Sequence, residues 1–247
     1  MSERFFSANP IEGERATLAG PGAHHLLHVM RGKPGDRVLL FDGSGAEFTA
    51  EVVACKRTEV DLRVVARHEI DRELPFSLVV AAAIPKGDRQ RWLIEKLVEL
   101  GVTKLVPLAT ERSVAVPSAG AIERLQRAVI EASKQCGRNR LMEISQAVPW
   151  GEFVENTGGS PGTARPQPPE ANHLFAHPGG QTIAELQLKE RKPTTIAIGP
   201  EGGWTEGEAA LAVEHGWQLV DLGPRLLRVE TAAAALVSHI VLDGGAP

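Results

Sequence analysis

Cysteine is nearly missing from this chain: Cys55 and Cys136 are the two it has in 247 residues. Two lone thiols so far apart exclude a disulfide framework and a zinc site built on paired thiolates, and they suit a reducing compartment. Long apolar runs are missing too. No stretch approaches the roughly 18 residues that a membrane span needs, and Met1-Ser2-Glu3-Arg4 is not followed by the apolar block of a signal peptide. The expectation is a cytoplasmic protein with no membrane association. Gly-x-Gly-x-x-Gly opens no helix after a strand, and the glycine loop after Ile198 lacks the terminal Lys-Ser/Thr of a phosphate-binding loop, so neither a Rossmann dehydrogenase nor a P-loop NTPase is supported. Internal repeats are absent as well.

What is there begins with charge. The net −4 is uneven: residues 86–140 carry eleven Lys/Arg against six Asp/Glu, whereas residues 141–247 carry six against thirteen. A basic middle on an acidic chain suits a polyanionic partner. Around Asp42-Gly43, residues 38–53 alternate apolar and polar, which is a hairpin signature, and Val60, Leu62 and Val64 continue the two-residue period. With a short helix at 22–30, residues 1–71 read as a small β-barrel, followed by a linker at 67–75. The rhythm then becomes strand, helix, strand, helix, with strands at 77–84, 104–108, 173–176, 195–198 and 218–222. Helices are predicted at 88–100, 121–137, 182–190, 206–215 and 231–242, and Gly101 and Gly137 stand where helix stops belong. This is the grammar of a buried parallel sheet. Residues 157–170 collapse into Gly, Ser, Pro and Ala, and a flexible loop is expected there.

Two glycine-bearing segments each follow an apolar run: Ile198-Gly199-Pro200-Glu201-Gly202-Gly203 and Leu222-Gly223-Pro224-Arg225-Leu226-Leu227-Arg228-Val229-Glu230-Thr231-Ala232. Glycine lets backbone approach a ligand, so two such loops at the carboxyl ends of neighbouring strands would form one small-molecule pocket. Taken alone, the first loop reads equally as a structural turn before a helix capped by Thr205. The second is too apolar for a solvated loop, and its Gly-Pro forbids a simple strand.

These loops resemble the last two signature motifs of the SPOUT superfamily of RNA methyltransferases. Ala83-Ile84-Pro85-Lys86-Gly87-Asp88, Glu95-Lys96-Leu97-Val98-Glu99-Leu100-Gly101-Val102, Thr110-Glu111-Arg112-Ser113 and Glu131-Ala132-Ser133-Lys134-Gln135-Cys136-Gly137-Arg138 are similar, in order, to its 16S ribosomal RNA uridine-N3 methyltransferase family. His24-His25-Leu26-Leu27-His28-Val29-Met30-Arg31 resembles part of the PUA-like RNA-binding domain that this family carries. The resemblance implies a PUA-like β-barrel over residues 1–71, an α/β SPOUT domain with a trefoil knot over residues 72–247, and an insertion at 157–170.

It also implies S-adenosyl-L-methionine as methyl donor, no metal, 16S ribosomal RNA of the 30S subunit as partner, and a homodimer. Carried over position by position, donor binding falls to His177, Pro178, Gly199, Pro200, Gly202, Gly203, Leu222, Gly223, Leu227, Arg228, Thr231 and Ala232. Alkylating a uracil N3 needs an unpaired base whose imide proton is removed. Arg138 and Arg228 are the candidates for stabilising the anion, and Glu201 and Glu230 for accepting the proton. Either glutamate would equally serve in an ion pair or at a helix N-terminus. RNA contact is expected from His25, Arg31, Lys86, Lys96, Arg112, Arg124, Arg127, Lys134 and Arg138, although a solvated helix face explains the cations of 121–138 as well, and Lys96 pairing with Glu95 or Glu99 is the plainer reading there. His24, His25 and His28 lack a grouped carboxylate or thiolate and read as capping or RNA-facing. A transfer-RNA or ribose methyltransferase, or a non-catalytic RNA-binding assembly factor, are the competing readings.

Overall fold

The computed structural model describes residues 3–157, 171–186 and 192–242, so nearly all of the insertion expected at 157–170 lies outside the described residues. The chain forms two compact units, Met1–Glu73 with Ile130–Leu141, and Leu74–Val129 with Met142–Pro247. Residues 130–141, taken from the sequence as part of the second domain, cluster with the first unit.

The first unit contains β1 (Arg4–Phe6), β2 (Arg15–Ala19), α1 (Gly20–His24) running into a π-helical turn (His25–Val29), β3 (Arg37–Phe41), β4 (Glu47–Cys55) and β5 (Glu59–His68). Their order in the sheet is β1-β3-β4-β5-β2, antiparallel except for β1 against β3. The alternation legible in the sequence is the reason. Val38 and Leu40 of β3, Phe48, Ala50 and Val52 of β4, and Val60 and Leu62 of β5 point to one core with Phe5, Leu18 and Leu26. Register shifts at Thr49/Ala50 and Val52/Ala54 break the β4–β5 ladder. Such bulges bend strands, and the sheet curls into a half-barrel resembling a PUA-like domain.

Residues 130–141 are tied to this unit by polar contacts to their backbone. Arg72 Nη1 donates to Gly137 O at 2.9 Å, Arg4 Nη2 to Arg138 O at 3.2 Å, and Asn139 Nδ2 to Ile70 O at 3.1 Å. Arg4 also pairs with Glu47, and burial holds its guanidinium below the usual arginine value.

The second unit contains β6 (Leu78–Ala82), α2 (Asp88–Glu99), β7 (Lys104–Ala109), the first part of α3 (Ala119–Cys136), β8 (Glu143–Ile144), β9 (Val148–Pro149), α4 (Trp150–Thr157), β10 (Asn172–Thr182), β11 (Thr194–Ile198), α5 (Glu206–Glu214), β12 (Gln218–Asp221) and α6 (Val229–Leu242). The sheet is parallel throughout, in the order β12-β10-β11-β6-β7-β8, with β9 added beside β7. The glycine stops hold: Gly101 at φ +83° follows α2, and Gly137 at φ +88° follows α3. Thr205 caps α5 as expected, its Oγ1 accepting from Glu208 N while Glu208 Oε2 accepts from Thr205 N.

One predicted helix does not start where the periodicity puts it. Where the periodicity predicts a helix over 182–190, β10 runs on to Thr182 and residues 183–185 form a turn; residues 187–190 lie outside the described residues. The cause is Gly179-Gly180. The β10–β12 register shifts between Ala176 and Gln181, and a Cβ on Gly180 would lie 2.4 Å from the carbonyl carbon of Leu219. The backbones meet too closely there for any other residue.

Candidate functional site

Beneath the carboxyl ends of β10, β11 and β12 lies an aromatic floor. Trp150 sits 4.9 Å from Trp204, 5.3 Å from Phe175 and 5.5 Å from Trp217, ring centre to ring centre. Two of these indoles are anchored at their polar ends: Trp150 Nε1 donates to Glu208 O and Trp204 Nε1 to Ala176 O, both at 3.1 Å.

On this floor the two glycine loops and the 176–178 segment converge on a cavity of about 300 Å³, at the lower end of the size range of small-molecule sites. Its wall comprises Ala176, His177 and Pro178; Ile198 to Glu201 with Gly203 and Trp204; and Val220 to Gly223, Arg225 to Leu227, Val229 and Ala232. A parallel sheet binds ligands at this end, where the loops leave the strands.

The first loop is tightly built. A Cβ on Gly199 would lie 2.7 Å from Trp204 Nε1, so only glycine lets the chain pass the indole. Gly203, at φ +72°, donates its N–H to Pro200 O at 2.8 Å and closes the turn. From outside, Arg112 Nη1 donates to Gly202 O at 3.1 Å and Trp204 O at 3.3 Å, and Arg89 Nη1 pairs with Glu201 Oε1 at 2.7 Å. The second loop is held chiefly at its start, by Asp221. That carboxylate accepts from Gly179 N at 3.1 Å and Gly223 N at 2.8 Å, so it links the 177–180 segment of β10 to the 222–228 loop. These two N–H groups hold its pKa below the usual carboxylate value.

Of the residues assigned to the donor from the sequence, His177, Pro178, Gly199, Pro200, Gly203, Leu222, Gly223, Leu227 and Ala232 line the cavity, while Gly202, Arg228 and Thr231 do not. Gly202 instead presses on Arg112, whose Cβ would be 3.1 Å from an added methyl, and Arg228 and Thr231 are exposed at the start of α6. Among the catalytic candidates, Glu201 is on the wall. Glu230 is buried in the first turn of α6 with Oε2 lacking a hydrogen-bond partner. Arg138 belongs to the first unit and is buried, its guanidinium bound to Glu73 by two hydrogen bonds. That pairing neutralises the charge that the sequence reading gave to a uracil anion.

The cations expected to meet RNA divide by what they touch. Lys96 pairs with Glu99 at 2.7 Å, Lys134 with Glu131 at 3.0 Å, and Arg112 is spent on the first loop. His25 faces Glu3 at 3.6 Å. Arg31, Lys86, Arg124 and Arg127 are exposed, with no ion pair among the described residues. Sequence reading missed Trp204, Asp221, Glu208 and Arg89. Only Thr205 followed three residues later by Glu208 carried a local signal. Among the described residues no three His, Cys, Asp or Glu side chains gather as a metal site, and no helix is long and apolar enough to cross a membrane.

Comparison with known proteins agrees with this fold. An RNA methyltransferase domain matches residues 72–241, and an RNA methyltransferase PUA domain matches residues 18–65. The chain is 33% identical over 224 residues to the ribosomal RNA small subunit methyltransferase E of Synechocystis, covering 91% of this chain and 72% of that protein. It is 27% identical to its Bacillus subtilis namesake, covering 93% and 90%. A methyltransferase of Legionella pneumophila solved with bound S-adenosylmethionine superposes at a TM-score of 0.87 with 30% identity over all of both chains. The Neisseria gonorrhoeae ribosomal RNA small subunit methyltransferase E, bound to S-adenosylmethionine, superposes at 0.84 with 30% identity over 96% of each. With the domain matched over most of its length, the chain belongs to the RNA methyltransferase family, with a PUA-like unit ahead of an α/β domain.

Proposed function

We propose that this protein transfers a methyl group from S-adenosylmethionine to N3 of a uridine in 16S ribosomal RNA of the small subunit. The observation that carries this reading is the convergence of both glycine loops and His177-Pro178 on one cavity. The residues fit the donor. Leu222, Leu227, Ala232 and Pro178 supply apolar wall for an adenine, and loop backbone at Gly199 and Gly223 is bare of side chain. The donor brings a carbon already activated by a sulfonium, so the protein needs no metal or covalent nucleophile and supplies placement and electrostatics.

The chain's own part is to present the base and take its proton. Glu201, on the cavity wall and bound to Arg89, is the carboxylate placed to accept the N3 proton. Arg228, exposed where α6 begins, is the cation left from the sequence reading to balance the imide anion. Residues 1–71 serve as the PUA-like RNA-gripping domain and residues 72–247 as the donor-binding domain with the knot that the resemblance implies. The free cations Lys86, Arg124 and Arg127 add affinity for RNA phosphates. A homodimer in the cytoplasm completes the proposal. Leu226 at 97%, Leu242 at 75% and Val114 at 67% exposure are apolar surface that a second copy would cover.

Incubating the protein with labelled S-adenosylmethionine and 30S particles that lack the mark should place methyl on N3 of a uridine, read by mass spectrometry. Incorporation on ribose or on transfer RNA alone would overturn the proposal, as would donor binding by calorimetry without turnover. Light scattering that shows an active monomer would remove the dimer.

A further inference from the structure

A second cavity, of about 170 Å³, adjoins the first, and Pro200 and Glu201 line both. Its floor is apolar, formed by the buried Ala83 and Ile84, and its polar groups include Lys86, Arg89 and Glu201. The floor suits the face of a flat ring; the rim suits an anion and an imide. Uracil presents an acceptor, a donor and an acceptor along its pairing edge: O4, N3–H and O2. Arg89 and Glu201, joined at 2.7 Å, present donors beside an acceptor: a guanidinium has five N–H groups and no acceptor, and a carboxylate accepts only.

We infer that this second cavity is the acceptor-base site, with Glu201 taking the N3–H, Arg89 donating to a flanking carbonyl, and Lys86 holding the neighbouring phosphate. This deepens the uridine-N3 reading and rests on it. The pair also selects the base. Cytosine carries an acceptor at N3, which would face the Glu201 carboxylate, lone pair to lone pair, so the site rejects it without any steric device. Lys86 is exposed and has no ion pair among the described residues, so its charge is available to RNA. Arg89 is half-buried and already oriented, so little rotamer freedom remains to be lost when the base arrives. The balance of the transfer is simple. The N3–C bond forms as the sulfonium S–C bond breaks, the N3 proton passes to Glu201, and neutral S-adenosylhomocysteine leaves.

The test uses the full-length protein, 30S particles lacking the mark, and calorimetry with S-adenosylmethionine on the same preparations. Lys86→Ala should raise KM for the particles about tenfold and reduce the slope of log affinity against log salt by about one. Arg89→Gln should lower kcat by roughly 10²-fold, as loss of one preorganised donor does, with donor affinity unchanged within about twofold; Arg89→Lys should recover part of it. Two outcomes overturn the site. In one, both variants keep wild-type KM and kcat. In the other, Arg89→Gln loses donor affinity in proportion to turnover, which would make the pair a clasp for the first glycine loop. If instead the wild-type protein methylates no uridine N3, the function itself has failed, and that result is separate from either variant outcome.

Discussion

The two loops that wall the first cavity are held by different means. The first is pinned on two sides, by the Trp204 indole under Gly199 and by Arg112 on its carbonyls. The second is fastened at its root by Asp221 and then runs over the surface, ending with Leu226 at 97% exposure although its side chain borders the cavity. One wall is therefore set before any ligand arrives. The other has most to gain from a ligand or a second subunit, because few buried contacts hold it.

Removing the anchor of the set wall should do the most damage. Trp204 is 8% exposed amid the aromatic floor, and Trp204→Ala is expected to cost about 3–5 kcal/mol of unfolding free energy by urea titration, with donor binding lost in parallel. Unchanged stability would erase the contrast between the loops. Asp221→Ala should leave the melting temperature nearly untouched yet weaken donor affinity roughly tenfold by calorimetry, about one charge-assisted hydrogen bond. Its carboxyl pKa is depressed by the two N–H groups. The clamp is therefore fully present above the ordinary value of 3.8 and is lost only as pH falls through the lower folded value.

His173, on β10 below the cavity, gives a smaller and pH-dependent effect. Burial against Trp217 pushes its imidazole below the usual 6.5, so the unfolded chain binds the proton more readily. Stability should be flat above 6.5 and decline as pH falls toward the folded value, and His173→Gln should flatten that slope in denaturant titrations from pH 7 to 5. Smallest of all, Leu226→Ser should move unfolding free energy by no more than about 0.5 kcal/mol, while a measurable loss of donor affinity or of dimer would show what covers the free wall.

Local chemistry made much of this legible in advance. Period-two alternation through Val38, Leu40, Val60 and Leu62 names the core face of the first sheet. Glycines that must take positive φ mark the ends of α2 and α3, and Thr205 with Glu208 marks the start of α5. Nine of the twelve positions that the resemblance assigns to the donor line one cavity. The misreadings have a common origin. Trp204 reaches Ala176 across 28 residues, Asp221 reaches Gly179 across 42, and Arg89 meets Glu201 across 112. No helix begins at Thr182 as expected, because β12 draws Gly180 to Thr182 into the sheet, a contact to which local propensity is blind.

The chain by itself therefore determined what each short segment prefers, since backbone freedom, side-chain period and capping are properties of neighbours in sequence. Tertiary structure alone decided which charges are spent and which are free. Arg112 and Arg138 read like Lys86 in the sequence, yet folding binds the first to loop carbonyls and the second to Glu73, and leaves the lysine exposed. A charge is spent or free according to the partner that folding brings beside it, and that partner lies as far as 112 residues away.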